Sequence, residues 1–215
     1  MDIPKLIAKD LLKTEAVKIS IHPPFTWASG IKSPIYCDNR VLISHPGVRE
    51  TIVNEMVIKI QKMKPDVIAG TATAGIPWAA FVAFQMKLPM VYVRPEPKDH
   101  GAGKQIEGFL PPGEKVVLVE DLISTGGSSL KAVKALREEG QAVVQDIVAI
   151  VTYEMEKSRT SFDEANITAT TLTDFSHLIE EVKEQGYIPQ DQLEMVREFT
   201  TDPANWWDRF QKERR

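Results

Sequence analysis

Two adjacent carboxylic acids, Glu120 and Asp121, stand between an apolar run and a loop of hydroxyls and glycines, in the stretch VVLVEDLISTGGSS at 116–129. Each half of that stretch has its own chemistry. Val116, Val117, Leu118 and Val119 form a β-branched run typical of a parallel strand buried on both faces, expected to end at the two acids. Leu130, Val133 and Leu136 follow at helical spacing, so the loop should open a helix whose first amides are free. Gly126 and Gly127 allow close backbone approach to an anion, and Ser124, Thr125, Ser128 and Ser129 add donors. Acids at a strand's carboxyl end can hold a sugar diol or a hydrated metal ion. No Gly-Lys-Ser/Thr follows, which excludes a Walker loop, and the spacing G-x-G-x-x-G of the dinucleotide fingerprint is absent.

Three further stretches carry polar chemistry. GTATAG at 70–75, with Thr73 inside it, is a second small-residue turn suited to an oxyanion, and Pro77 falls near the start of the helix after it. The segment 94–113 combines Arg94, Lys98, His100 and Lys104 with four glycines. It is long for a connection inside a compact domain, and reads as a lid whose cations meet a polyphosphate while closure excludes water. The last is FTWASGIKSPIYCDNR at 25–40, where Ser29-Gly30 and Ser33-Pro34 are turn dipeptides.

The elements that must position these residues follow from periodicity. A helix over 3–16 carries Ile3, Leu6, Ile7, Leu11 and Leu12 on one face, short strands or a hairpin fill 17–40, and 46–63 is helical. Strands at 66–69, 90–94, 115–119 and 142–152 then alternate with helices at 75–86 and 128–139. A strand at 167–172 and helices near 174–185, 189–199 and 203–212 complete the chain. Such alternation implies a mostly parallel sheet covered by helices, with ligands at the strands' carboxyl ends. Trp206, Trp207 and Phe210 should pack the last helix on the core or a partner. The Glu154, Glu156, Lys157 and Arg159 cluster reads as a solvated helix start, and His22, His45 and His177 lack companions at metal-ligand spacing.

At 215 residues the chain can bury one sizeable core, and 43% hydrophobic with 26% charged residues excludes disordered and fibrous classes. A net charge of -4 argues against a general nucleic-acid binder. A single cysteine, Cys37, fits a reducing compartment and should be a small buried hydrophobe, not a nucleophile. The start MDIPKLIAKD lacks a signal-peptide core, and no run is long enough to span a membrane. A cytoplasmic protein with no nucleic-acid or membrane partner is expected.

These motifs together resemble those of orotate phosphoribosyltransferases, a branch of the type I phosphoribosyltransferases. The stretch 116–129 is similar to the phosphoribosyl diphosphate (PRPP) motif of that superfamily. Arg94, Lys98, Asp99, His100 and Gly101 are similar to the orotate branch's R-K-x-x-K-D-H-G signature, and 25–40 to its F-x-x-x-S-G-x-x-S-P segment. The resemblance covers about residues 1–155.

It implies an α/β fold with a central mostly parallel sheet flanked by helices. A small N-terminal hood (1–40) would lie over the base site, and residues 41–215 would form the core with its C-terminal helices, one structural unit overall. By resemblance, Glu120 and Asp121 face the ribose hydroxyls, Ser124, Thr125, Gly126, Gly127 and Ser128 cradle the 5′-phosphate, and Thr73 meets pyrophosphate. Arg94, Lys98 and His100 complete PRPP binding, with Lys98, His100 and Asp121 catalytic. Orotate would be held by Lys32, Tyr36, Cys37, Arg40 and Ser124, and Mg²⁺ through substrate and water, with Asp121 a candidate ligand. A homodimer sharing its lid between subunits is also implied.

The chain departs from the family where members often carry Lys at Ala28, Ala74 and Pro95 and Arg at Met155. Losing one preorganised cation near developing charge costs on the order of 3 kcal/mol, so Lys32, Arg40, Arg94 and Lys98 are the expected substitutes. Arg40 or Lys32 is expected to meet the base's carboxylate, because Ala28 offers no donor. Two other readings remain at this level: transfer to a purine base, and a non-catalytic PRPP-sensing regulator.

Overall fold

A computed structural model describes residues 2–27, 30–97 and 104–213. In chain order the elements are helix α1 (Ile3–Lys13), strands β1 (Val17–Ile19), β2 (Phe25–Thr26), β3 (Lys32–Ser33) and β4 (Ile35–Cys37), a 3-10 helix Asn39–Ser44, and α2 (Pro46–Met63). Next come β5 (Val67–Thr71), α3 (Gly75–Met86), β6 (Met90–Val93), β7 (Ile106–Glu107), β8 (Lys115–Ile123), α4 (Gly127–Glu138) and β9 (Val143–Thr152). The chain ends with α5 (Glu156–Glu164), β10 (Thr168–Asp174), α6 (Phe175–Gln185), α7 (Gln190–Glu198) and α8 (Trp206–Glu213).

Six strands form one sheet in the order β10-β9-β8-β5-β6-β7, parallel throughout except for the antiparallel edge strand β7. The continuous apolar runs of β8 and β9 are explained by cover on both faces. Val117, Val119 and Ile150 point into the core shared with α2, α3 and α6, whereas Val116, Leu118 and Ile147 meet Ala132, Val133 and Leu136 of α4. The hood is two small antiparallel pairs, β1 with β4 and β2 with β3. Helix α1 is stitched to the main body, because Ile7, Ala8 and Leu11 are fully buried against α6 and β10. Trp206 and Phe210 are buried in the same core, as their spacing requires.

Two expectations need correction. The motif strand does not stop at the acids: pairing with β9 continues through Glu120↔Ala149, Leu122↔Val151 and Ile123↔Thr152, so both acids sit inside the strand. The segment 94–113 is not one loop either. Residues 106–107 return along β6 as β7, and Arg94 N–H donates to the Gln105 carbonyl at 3.0 Å. The Glu139 carboxylate pins that return by accepting from the Gln105 and Ile106 amides at 2.9 and 3.2 Å.

Candidate active site

The two acids of β8 differ sharply. Glu120 is only 4% exposed, and its carboxylate accepts from the hydroxyls of Ser129 (3.0 Å) and Ser128 (3.4 Å) and from the Asp121 amide (3.2 Å). Burial first, and then the neighbouring Asp121 charge, push Glu120 up to about 8. Asp121 is also raised by burial, yet its side chain keeps partial access to solvent. Its carbonyl accepts from the amide of the buried Asn39 at 2.8 Å, which ties the end of the hood to the motif strand.

The loop after β8 is shaped by one glycine and opened by the next. Gly126 has φ +77°, and a Cβ there would lie 2.9 Å from the Phe162 ring, so geometry and packing both exclude a side chain. A Cβ on Gly127 would meet only Thr125 Oγ1, at 3.9 Å. The first amides of α4 therefore border open space, with no carbonyl one turn earlier to pair with. Of the hydroxyls expected to face an anion, Ser129 is fully buried on Glu120, and Ser128, though exposed, also turns its hydroxyl to Glu120.

The glycines of 70–75 have a packing duty as well. A Cβ on Gly75 would stand 2.7 Å from the Val119 carbonyl, and one on Gly70 would stand 2.8 Å from the Ala79 Cβ. Both seat α3 tightly against the sheet. Thr73, between them, is exposed at the start of α3 and beside the acid-bearing strand.

A cavity of about 180 Å³ lies between hood and core, lined by Trp27, Tyr36, Cys37, Leu122, Ser124 and Tyr153. Its walls suit a flat ring. Trp27 stacks on Tyr153 with centroids 5.3 Å apart, and its indole N–H donates to the Ile35 carbonyl at 3.1 Å. Cys37 donates to Asn39 Oδ1 at 3.3 Å, and burial pushes its thiol well up, so the sulfur is a neutral wall. Ser124 belongs both to this cavity and to the hydroxyl-rich loop. A ring pocket and an anion loop thus meet at two acids.

The sequence profile of the phosphoribosyl transferase domain matches residues 47–185. The orotate phosphoribosyltransferase of Lactococcus lactis subsp. cremoris (strain MG1363) is 52% identical over 208 residues, covering 96% of this chain and 99% of that one. The chain belongs to the orotate phosphoribosyltransferase family. A solved orotate phosphoribosyltransferase from Aeropyrum pernix superposes with a TM-score of 0.72 at 28% identity, covering 85% of this chain and 99% of that one. Adenine phosphoribosyltransferase from Leishmania donovani shares the fold at 23% identity and a TM-score of 0.62, covering 81% and 82%. The fold alone does not choose the base.

Among the cations a family member needs, those of this chain are placed unevenly. Lys98 and His100 lie outside the described residues, as do Asp99, Gly101 and Ala28. Arg94 Nη1 stands 3.6 Å from Glu107 Oε1 of the returning strand. Arg40 forks onto Asp38 (2.6 and 2.7 Å), and Lys32 donates to Thr26 Oγ1 at 2.7 Å. Neither residue lines the ring cavity. Met155, where many family members carry arginine, is 4% exposed at the start of α5.

Trp27, Leu122 and Tyr153 were missed as pocket residues by sequence reasoning. Trp27 lies in the hood motif, and Tyr153 directly follows β9, at the carboxyl end where α/β ligands bind, so position alone could have flagged them.

Proposed function

We propose that the protein transfers the 5-phosphoribosyl group of PRPP to N1 of orotate, yielding orotidine 5′-monophosphate and pyrophosphate, in the pyrimidine pathway of the cytoplasm. The supporting observation is the double membership of Ser124, which lines the ring cavity and opens the anion loop. A base in the cavity and a phosphate over the amides at 127–129 then leave a ribose between them, beside Asp121. Breaking the bond at the anomeric carbon leaves positive charge on the sugar and negative charge on pyrophosphate. The Asp121 carboxylate favours the cationic ring, while the buried Glu120 holds the strand end and loop in register through Ser128 and Ser129. Thr73 and the lid cations Arg94, Lys98 and His100 receive the departing pyrophosphate, and His100 can protonate it.

Magnesium fits as a substrate-borne ion. Among the described residues no cluster of three or more acids, histidines or cysteines could hold a metal, and Glu120 is already engaged, which leaves the partly exposed Asp121 as its protein ligand. Bound Mg²⁺ would neutralise pyrophosphate charge and orient its oxygens. For the base's carboxylate, Arg40 is within this reading despite its fork: its side chain is largely exposed, so an entering carboxylate can compete with Asp38 for it. Lys32 is the second donor. A homodimer whose lid reaches the neighbouring site completes the proposal, and no helix is long and apolar enough to cross a membrane among the described residues.

The test is loss of orotate absorbance with protein, Mg²⁺ and PRPP, run beside adenine, hypoxanthine, xanthine and uracil with pyrophosphate detection. Turnover with orotate alone, abolished by a chelator, is expected. Turnover with a purine, or PRPP binding without turnover, would overturn the assignment. Unchanged orotate KM in both Arg40→Ala and Lys32→Ala would remove those two residues from it.

A further inference from the structure

The ring cavity is walled by a residue that the C-terminal segment holds in place. Trp27 has one face on Tyr153, while Phe199 meets it edge-on with centroids 5.4 Å apart and planes at 84°. Phe199 is fully buried at the end of α7. It is braced in turn by Trp206 of α8, edge-on at 5.8 Å, and the Trp206 indole N–H donates to the Met195 carbonyl at 2.6 Å. Phe210 stacks on Trp206 at 5.7 Å, Trp207 stacks on Phe210 at 5.2 Å, and His22 of the hood lies over Trp207 at 6.2 Å. An aromatic column thus runs from the cavity wall into α8 and back to the hood.

The placement of this column is informative. Residues 190–213 lie outside the stretch 47–185 that matches the phosphoribosyl transferase domain, so α7 and α8 are additions to the shared catalytic core. Phe199, Trp206, Trp207 and Phe210 are not among the cavity's lining residues, and Phe199 reaches the cavity wall by its contact with Trp27. Trp27 directly follows β2 in a hood hairpin with only two paired residues per strand; its amide donates to the Ile31 carbonyl at 2.9 Å and its carbonyl accepts from the Gly30 amide at 2.8 Å, which holds the backbone and leaves the ring to be oriented by its own contacts. An edge-to-face contact favours one ring orientation, and here it adds to the Tyr153 stack in fixing the Trp27 ring.

We infer that Trp27 is a base-contacting wall that sets selectivity for the planar acceptor, and that Phe199, braced by Trp206, is the positioning residue that orients it. The C-terminal helices are then a clamp for acceptor binding and not for PRPP. This inference rests on the proposed acceptor reaction, and its signature is a split between substrates. Phe199→Ala should raise the orotate KM on the order of tenfold and leave the PRPP KM within about twofold, because the anion loop and Asp121 are held by the core.

The deciding experiment is a double-mutant cycle on full-length protein, with Trp27→Ala, Phe199→Ala and the pair, assayed well below each melting midpoint. If Phe199 acts through Trp27, Phe199→Ala in the Trp27→Ala background should leave the orotate KM within about twofold. The same rise in both backgrounds, or parallel rises in both substrates' KM, would overturn the inference. Should Phe199→Ala not fold, Trp206→Phe replaces it in the cycle, keeping a ring on Phe199 while removing the Met195 hydrogen bond, with the same criteria. Absence of wild-type turnover with orotate would defeat the reaction assignment instead, so the two failures are separable.

Discussion

The two halves of the site are built in opposite ways. The half proposed for ribose and phosphate comes from one contiguous stretch, 120–129, on a central strand and the helix after it, and its acids and loop are tied to each other by short-range bonds. The half proposed for the base draws Trp27, Tyr36, Cys37, Leu122, Ser124 and Tyr153 from separate segments, among them the three-residue hood strand β4 and the residue that follows the two-residue β2. A contiguous design transmits any error to the whole reaction. A dispersed design confines errors to one substrate and depends on remote packing to hold its shape.

The largest effect should therefore come from the contiguous half. Asp121→Asn removes the charge facing the sugar, and kcat should fall on the order of 100-fold while folding is kept. A change confined to the orotate KM would break the contrast between the halves. Gly126→Ala comes next. Its Cβ would press on Phe162 at 2.9 Å in a left-handed backbone, so a loss of about 2–3 kcal/mol in stability and a raised PRPP KM are expected. Denaturant melting checks the first and initial rates the second; an unchanged midpoint would show that the loop can rebuild.

Asn39 is the joint between the halves. It accepts from Cys37 in the base half and donates to the Asp121 carbonyl in the other. Asn39→Ala removes its side-chain bond to the part-buried Asp121 carbonyl at a cost of about 0.5–1.5 kcal/mol, and both substrates' KM values should rise together, unlike the split expected for Phe199→Ala. If only the orotate KM moved, Asn39 would belong to the base half alone.

The same contrast explains what was legible in the sequence. Val116–Val119, the acids and the glycine loop could be placed from periodicity and composition, because the chemistry and the elements carrying it are neighbours in the chain. The end of β8 was misjudged because Glu120 and Asp121 look like a polar stop, while pairing with β9 and two serine hydroxyls keep Glu120 inside the sheet. The packing duty of Gly70 and Gly75 is invisible in composition, which does not report that the Val119 carbonyl and the Ala79 side chain approach them. Trp27 and Tyr153 became a wall only through a contact between residues more than a hundred positions apart. No local period reports such a contact.

The smallest expected effect tests how far the base half depends on its supports. Tyr153, the face on which Trp27 stacks, is met edge-on by Phe175 at 6.4 Å, in the first turn of α6. Asp174 caps that helix, accepting from the His177 amide at 2.9 Å and pairing with His177 Nδ1 at 2.7 Å. Burial pulls His177 down, but the Asp174 hydrogen bond and the charges of Asp174, Glu180 and Asp2 outweigh it and raise it above the usual histidine value. A raised histidine binds its proton more tightly in the folded state. The stability it contributes is therefore present below pH 6.5 and is lost as pH rises through the folded-state value. The pair is partly exposed, so the loss should be under about 1 kcal/mol. Melting midpoints of wild type and His177→Gln across that window should converge at the alkaline end, with the PRPP KM unaffected by the substitution. A PRPP KM that followed the His177 titration would mean that the supports of the base half also reach the phosphate half, and that the division between the halves is less complete than their construction indicates.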